Sequence, residues 1–164
     1  MIILYYGDGK GKTTASLGIA LRAVGHGMKV SVIQFMKARP TGEYFAQEFI
    51  DGLSIRQFGR DVFVDEPIKD DFELAQKALE FARDEIQKRD VVILDEVNIA
   101  LSKGLLKKDE VLGLLDSVPD GKHVVLTGRN PPDYLIKKAD LVTEMREVKH
   151  PYRKGVSAVK GIDW

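Results

Sequence analysis

The sequence predicts an α/β fold: a mostly parallel sheet flanked by helices. Strand-like and helix-like segments alternate along the chain. Repeated strand–helix–strand units call for a parallel sheet covered on both faces. The polar motifs cluster just after strands, at 7–14, 34–37, 95–98 and 127–130. In such sheets ligands bind beyond the carboxyl ends of the strands, so one shared edge would carry all four. At 164 residues the chain suits one domain, 1–164, with a full core.

Each element has its own signal. Residues 2–6 are an apolar first strand. Over 13–24, Leu17, Ala20, Leu21 and Val24 fall at i, i+3, i+4 and i+7, one face of a helix. Gly25-His26-Gly27 stops it. Residues 29–35 (KVSVIQF) form a second strand, 37–40 a loop, 42–50 a short helix and 54–58 a third strand. Residues 59–71 are irregular, charged and long for a connection, a length often tied to function. Ala75, Ala78, Leu79, Ala82 and Ile86 then form a helical stripe over 71–88. Residues 90–96 (DVVILDE) are a buried strand ending in two acids. A helix over 105–117 is closed by Pro119-Asp120-Gly121. A strand at 123–127, a helix near Asp133 after Pro131-Pro132, and a last strand at 141–145 complete the pattern. The tail, 146–164, is basic and then punctuated by glycines.

Composition narrows the function classes. Hydrophobic residues make up 44% of the chain, within the globular range. Twenty-five basic residues balance twenty-five acidic ones, so no overall charge draws the protein onto nucleic acid. No apolar run is long enough to span a membrane, and no basic leader precedes the first strand. With no cysteine there are no disulfides and no thiolate metal centres. A cytoplasmic protein is the expectation.

The glycine turn after the first strand carries the most chemistry. Gly7-Asp8-Gly9-Lys10-Gly11-Lys12-Thr13-Thr14 runs from a strand into a helix. Glycines let backbone N–H groups crowd around phosphate oxygens, and the helix N-terminus adds partial positive charge. A lysine such as Lys12 reaches the terminal phosphates, and a hydroxyl such as that of Thr13 ligates Mg²⁺. An ordinary P-loop has glycine where Tyr6 stands, so this loop is one residue short. That predicts a nucleoside triphosphate seated differently from the usual arrangement. The dinucleotide fingerprint fits less well, because Lys12 stands where its third glycine belongs.

Asp95 and Glu96 end an apolar strand roughly eighty residues later, where a Walker-B acid belongs. One carboxylate can hold Mg²⁺ directly or through water; the other could activate a water or bond a ribose hydroxyl. Arg22 lies off the apolar stripe of the first helix and suits either phosphate or a surface ion pair. Arg129 follows a strand and could bind phosphate or a carboxylate. His26, His123 and His150 lack metal-ligand spacing. The cluster of Lys149, His150, Tyr152, Arg153 and Lys154 reads as a solvated tail or an anion-binding one.

Taken together, YYGDGKGKTTASLGIALRAVGHGMKVSVIQF, VVILDE, VVLTGRNPPDYLIKKADLVTEM and VKHPYRKGVSAVKGIDW resemble the ATP:corrinoid adenosyltransferases of the RecA-like P-loop type. The resemblance covers nearly the whole chain. It implies attack of a reduced corrinoid, cob(I)alamin or a precursor, on the 5′ carbon of ATP, with triphosphate leaving. By this match residues 8–14 surround the triphosphate, with Gly7 opening the loop. Arg22 contacts phosphate, Glu96 lies near ribose and metal, and Lys12 and Glu96 serve catalysis. Mg²⁺ would be held by Thr13 and one of Asp95 and Glu96. The match further implies a homodimer and a reductase partner. Better-known members carry an N-terminal helical extension, which this chain does not show ahead of its first strand. They also carry a Gly-Phe-x-Trp segment that displaces the lower cobalt ligand. The corresponding stretch is 59–64, where Phe63 is the aromatic. The residue-level alternatives are a P-loop kinase acting on a small metabolite and an ATP-dependent protein-binding switch.

Overall fold

The computed structural model describes residues 1–62 and 64–164. Six strands form one sheet: β1 (Ile2–Tyr6), β2 (Val30–Phe35), β3 (Leu53–Phe58), β4 (Val91–Asp95), β5 (His123–Gly128) and β6 (Leu141–Glu144). Their order is β3-β2-β4-β5-β1-β6, and every neighbouring pair is parallel. The expected mostly parallel sheet is therefore wholly parallel. Parallel neighbours need crossovers, which helices supply. These are α1 (Lys12–Gly25), α2 (Gly42–Ala46), α3 (Lys69–Lys88), α4 (Val97–Ser102), α5 (Lys108–Asp116) and α6 (Asp133–Lys138).

Strand alternation divides the core in two. Leu4, Ile33, Phe35, Val92, Leu94, Val124 and Leu126 face α3, whose Ala75, Ala78, Leu79, Ala82 and Ile86 pack on them. Their sequence neighbours Ile3, Val30, Val32, Ile93 and Val125 face the other way, toward Ala20 and Ala23 of α1. All residues of β2 and β4 are buried, as expected for central strands covered on both faces. The edge strand β6 is exposed throughout.

The structure adjusts several boundaries. Helix α3 begins at Lys69, two residues before the expected start. The Asp71 carboxylate accepts the Ile68 backbone N–H at 2.9 Å, satisfying a donor that the helix start leaves free. The expected helix at 105–117 is shorter, beginning at Lys108, where Glu110 accepts the Lys107 N–H at 2.8 Å. A separate short helix, α4, precedes it, and the sequence reading did not foresee it. Its six residues are too few for a periodic apolar signal. The helix expected at 42–50 ends at Ala46. Residues 151–154 form a 3₁₀ turn within the tail.

Candidate active site

The glycine turn and the two acids meet at the carboxyl edge of the sheet, although their strands are not neighbours. Strand β5 lies between β1 and β4. Its last residues therefore bridge the two motifs.

Local geometry explains the glycines. The Gly9 N–H donates to the Met145 carbonyl at 2.7 Å. A Cβ on Gly9 would lie 2.7 Å from that same oxygen. The chain leaving β6 thus packs directly on the loop and leaves no room for a side chain there. Gly11 caps α1 with φ of 116°, a conformation that L side chains rarely adopt. The Lys12 ammonium folds into the loop, donating to the Gly7 carbonyl at 2.7 Å and the Gly9 carbonyl at 2.8 Å. Burial lowers the Lys12 pKa below that of an ordinary lysine. Glu96 opposes the shift and Arg129 adds to it.

Asp95 is the hub. Its Oδ1 accepts the hydroxyls of Thr13 at 2.8 Å and Thr127 at 2.7 Å. Its Oδ2 accepts Gln34 Nε2 and Lys37 Nζ, each at 3.1 Å. Thr127 works in both directions, since its hydroxyl also accepts the Glu96 backbone N–H at 2.9 Å. Gln34 continues the network to Glu43 at 3.1 Å. Burial alone would depress the Lys37 pKa. The charge and hydrogen bond of Asp95 outweigh it and raise the value above that of an ordinary lysine.

Glu96 differs from Asp95. It stands in the left-handed region at φ 66°. Its Oε2 is buried with no hydrogen-bond partner among the described residues. Burial, then the neighbouring Asp95 charge, raise its carboxyl above the usual range, while Lys37, Lys12 and Arg129 pull it back. A buried oxygen without a donor is costly and suits a ligand that supplies one.

Two cavities adjoin at this edge. One, of about 420 Å³, is bounded by the glycine loop, Lys37, Glu96 and Arg129. The other, of about 480 Å³, is mainly apolar, with Phe35, Met36, Val62, Val64 and Ile99 in its walls. Lys37 and Glu96 belong to both and form the shared wall.

The structure brings together residues 8–14, Glu96 and Arg129 around the first cavity. Gly7 joins through its carbonyl contact with Lys12, and Asp95 lies behind Thr13. Arg22 is not brought in. It is exposed in the last turn of α1, ten residues along the helix from Lys12, about 15 Å at the usual rise. Phe63 lies outside the described residues. Gln34, Lys37 and Thr127 went unassigned in the sequence, although 34–37 and 127–130 were placed at this edge. The available signal was a polar residue inside an otherwise apolar strand, as in VSVIQF and HVVLTG. Among the described residues no group of three or more histidine, aspartate or glutamate side chains could by itself hold a metal ion.

A structural relative is the flagellar accessory protein FlaH from Methanocaldococcus jannaschii. It matches with a TM-score of 0.62 at 15% identity, covering 87% of this chain and 69% of that one. At that identity the likeness concerns the fold alone. In sequence, the chain is 39% identical to a corrinoid adenosyltransferase of Pseudomonas aeruginosa, over all of this chain and 83% of the relative. It is 40% identical to one of Sinorhizobium sp. (all of this chain, 80% of the relative) and 36% identical to one of Escherichia coli K12 (all of this chain, 85% of the relative). The model of the family described as ATP:corrinoid adenosyltransferase BtuR/CobO/CobP matches residues 1–164, and the chain belongs to that family.

Proposed function

We propose that this protein transfers the 5′-deoxyadenosyl group of ATP to the cobalt of a reduced corrinoid. The observation that carries the reading is the pair of adjoining cavities. One is a polar phosphate cradle; the other is a mainly apolar space with polar groups at its edge, suited to the ring face and polar rim of a corrin; Lys37 and Glu96 stand between them. In the reaction the cobalt(I) electron pair forms a bond to C5′. The C5′–O5′ bond breaks, and its electrons leave on triphosphate. Cobalt rises formally from +1 to +3. The nucleophile has no proton to lose, so no general base is required. The site must orient C5′ toward cobalt and stabilise charge on the departing oxygens.

Lys12, the loop amides and Arg129 suit the second task. Thr13 suits Mg²⁺ for a specific reason: its proton is donated to Asp95, so its oxygen lone pairs are free for a cation. Both Asp95 oxygens already accept two donors each, so that carboxylate acts from behind Thr13. Mg²⁺, when bound, neutralises charge on the leaving triphosphate. Glu96, with its unpartnered oxygen on the shared wall, suits a ribose hydroxyl or a metal-bound water. Arg60, Asp61, Val62 and Val64 line the apolar cavity, which supports a role for these residues at the corrinoid. By the same family reading the protein is a cytoplasmic homodimer that receives reduced corrinoid with the help of a reductase. No helix among the described residues is long and apolar enough to cross a membrane.

The test is anaerobic incubation with MgATP and chemically reduced cob(I)alamin. The expected products are light-sensitive adenosylcobalamin and inorganic triphosphate in equal amounts. Formation of ADP instead, or ATP binding with an unchanged cobalt spectrum, would overturn the reading.

A further inference from the structure

The polar cavity is lined unevenly. Outside the tail, its described lining residues are all glycine, threonine or charged. That surface suits a triphosphate and, apart from the flat guanidinium of Arg129, offers little to a purine ring. The tail supplies the rest: the imidazole of His150 and a wall built by Gly161, Ile162, Asp163 and Trp164. Ile162 and Trp164 both line the cavity, and both are about half or more exposed, at 69% and 48%. These are large apolar side chains left open to solvent beside a site for a molecule whose other half is an aromatic base.

The segment is held in place from several sides. Lys10 of the glycine loop pairs with the Asp163 carboxylate. Asp163 in turn accepts the Val159 N–H at 2.7 Å and donates its own N–H to the Val159 carbonyl at 2.8 Å. The Gly161 N–H donates to the Trp164 carbonyl at 2.7 Å, closing a compact turn. On the opposite wall, a Cβ placed on Gly42 would lie 3.9 Å from the Trp164 backbone. The turn therefore spans the cavity from the glycine loop to the start of α2. With its charge matched by Lys10, Asp163 adds little repulsion toward an incoming triphosphate.

We propose that this turn is the seat of the adenine base, with Trp164 as the stacking surface and the Lys10–Asp163 pair fixing its position over the phosphate cradle. The proposal rests on ATP being the substrate. It assigns the base, rather than the phosphates, to the turn. Bases stack on aromatic side chains, and an indole offers the largest π-face.

Trp164 is the only tryptophan in the chain, so indole emission reports this turn alone. The protein is titrated with MgATP and, separately, with inorganic triphosphate, without corrinoid. Occupancy is followed independently by displacement of a labelled ATP. The expected result is saturable quenching of Trp164 by ATP. Inorganic triphosphate should displace labelled ATP without that quenching. Trp164→Ala should weaken ATP about tenfold and leave the affinity for triphosphate unchanged, and Trp164→Phe should restore most of the loss. Equal quenching by inorganic triphosphate would overturn the proposal, because the turn would then be answering to phosphate through Lys10. So would unchanged ATP affinity in Trp164→Ala. ATP that binds without touching Trp164 refutes this seat and leaves the transferase reading standing. Failure of ATP to bind at all removes both.

Discussion

Thr127→Val tests whether one hydroxyl holds the two acids in their different roles. The substitution keeps shape and volume but deletes both hydrogen bonds of the side chain. Asp95 loses one of four donors, at 2.7 Å, and the Glu96 N–H loses its acceptor, at 2.9 Å. Thr127 is fully buried, so water does not readily replace the hydroxyl. A hydrogen bond to a charged acceptor is worth about 1.5–3 kcal/mol, and an orphaned buried N–H costs about 1–3 kcal/mol. The two losses share one oxygen and do not simply add, which leaves about 2–3 kcal/mol. For a chain of this size each kcal/mol moves the melting midpoint by about 2–4 °C, so a fall of about 4–12 °C is expected. Urea unfolding with linear extrapolation measures the same quantity independently. Because Glu96 and Thr13 both hang on this network, KM for MgATP should rise as well. Thr127→Ser retains the hydroxyl and should recover most of both losses. A valine variant melting within about 1 °C of the parent, or a serine variant as impaired as valine, would refute the reasoning.

Further predictions follow from other contacts. Lys12→Ala removes the ammonium that folds onto the loop carbonyls. Loss of a preormed charge-stabilising donor typically costs about a hundredfold or more in turnover, so kcat should fall at least that far; retained activity would take Lys12 out of the mechanism. Gly59→Ala places a Cβ 2.3 Å from the Lys37 backbone nitrogen and 2.4 Å from the Met36 carbonyl carbon. Backbone must shift there, at about 1–3 kcal/mol, and Lys37 should move away from Asp95; urea midpoints and KM for ATP report the two effects, and parent-like values of both would contradict the packing. Asp71 accepts two hydrogen bonds from Arg60, each at 2.7 Å, which hold its carboxyl below the usual aspartate value. With the folded pKa depressed, its stabilisation is present above the ordinary aspartate pKa of about 3.9 and is lost as pH falls through the lower folded value. Asp71→Asn should therefore cost stability at pH 6 and progressively less as the pH falls below about 4; a pH-independent gap between the two urea midpoints would refute the ion pair's contribution.

Much of this protein is written locally. The order of elements, the phosphate turn and the acid pair depend on short-range signals: apolar runs, helical stripes, glycines and a lysine-threonine pair at a helix start. These are properties of a dozen or so adjacent residues, so one chain displays them without any partner. The resemblance to the adenosyltransferase family also rested on contiguous segments and was sustained over residues 1–164. Where local signal was thin, the reading fell short. Helix α4 is too brief to show a period, and Asp71 moved the start of α3 by accepting a backbone N–H three residues earlier.

The site's connections belong to the tertiary structure. Nothing near Asp95 in sequence says that Thr13, Gln34, Lys37 and Thr127 will converge on it, because the sheet order that brings their strand ends together is a long-range outcome of packing both faces. The same holds for Arg22, which motif matching placed at the phosphates and the helix axis carries away from Lys12. It holds again for the tail, whose Asp163 and Lys10 are 153 residues apart in sequence yet form one ion pair. Sequence determined which chemistry the chain carries, because that chemistry is encoded in the side chains themselves. The folded sheet decided which of those side chains act together, because distance through space is set by packing and not by spacing along the chain.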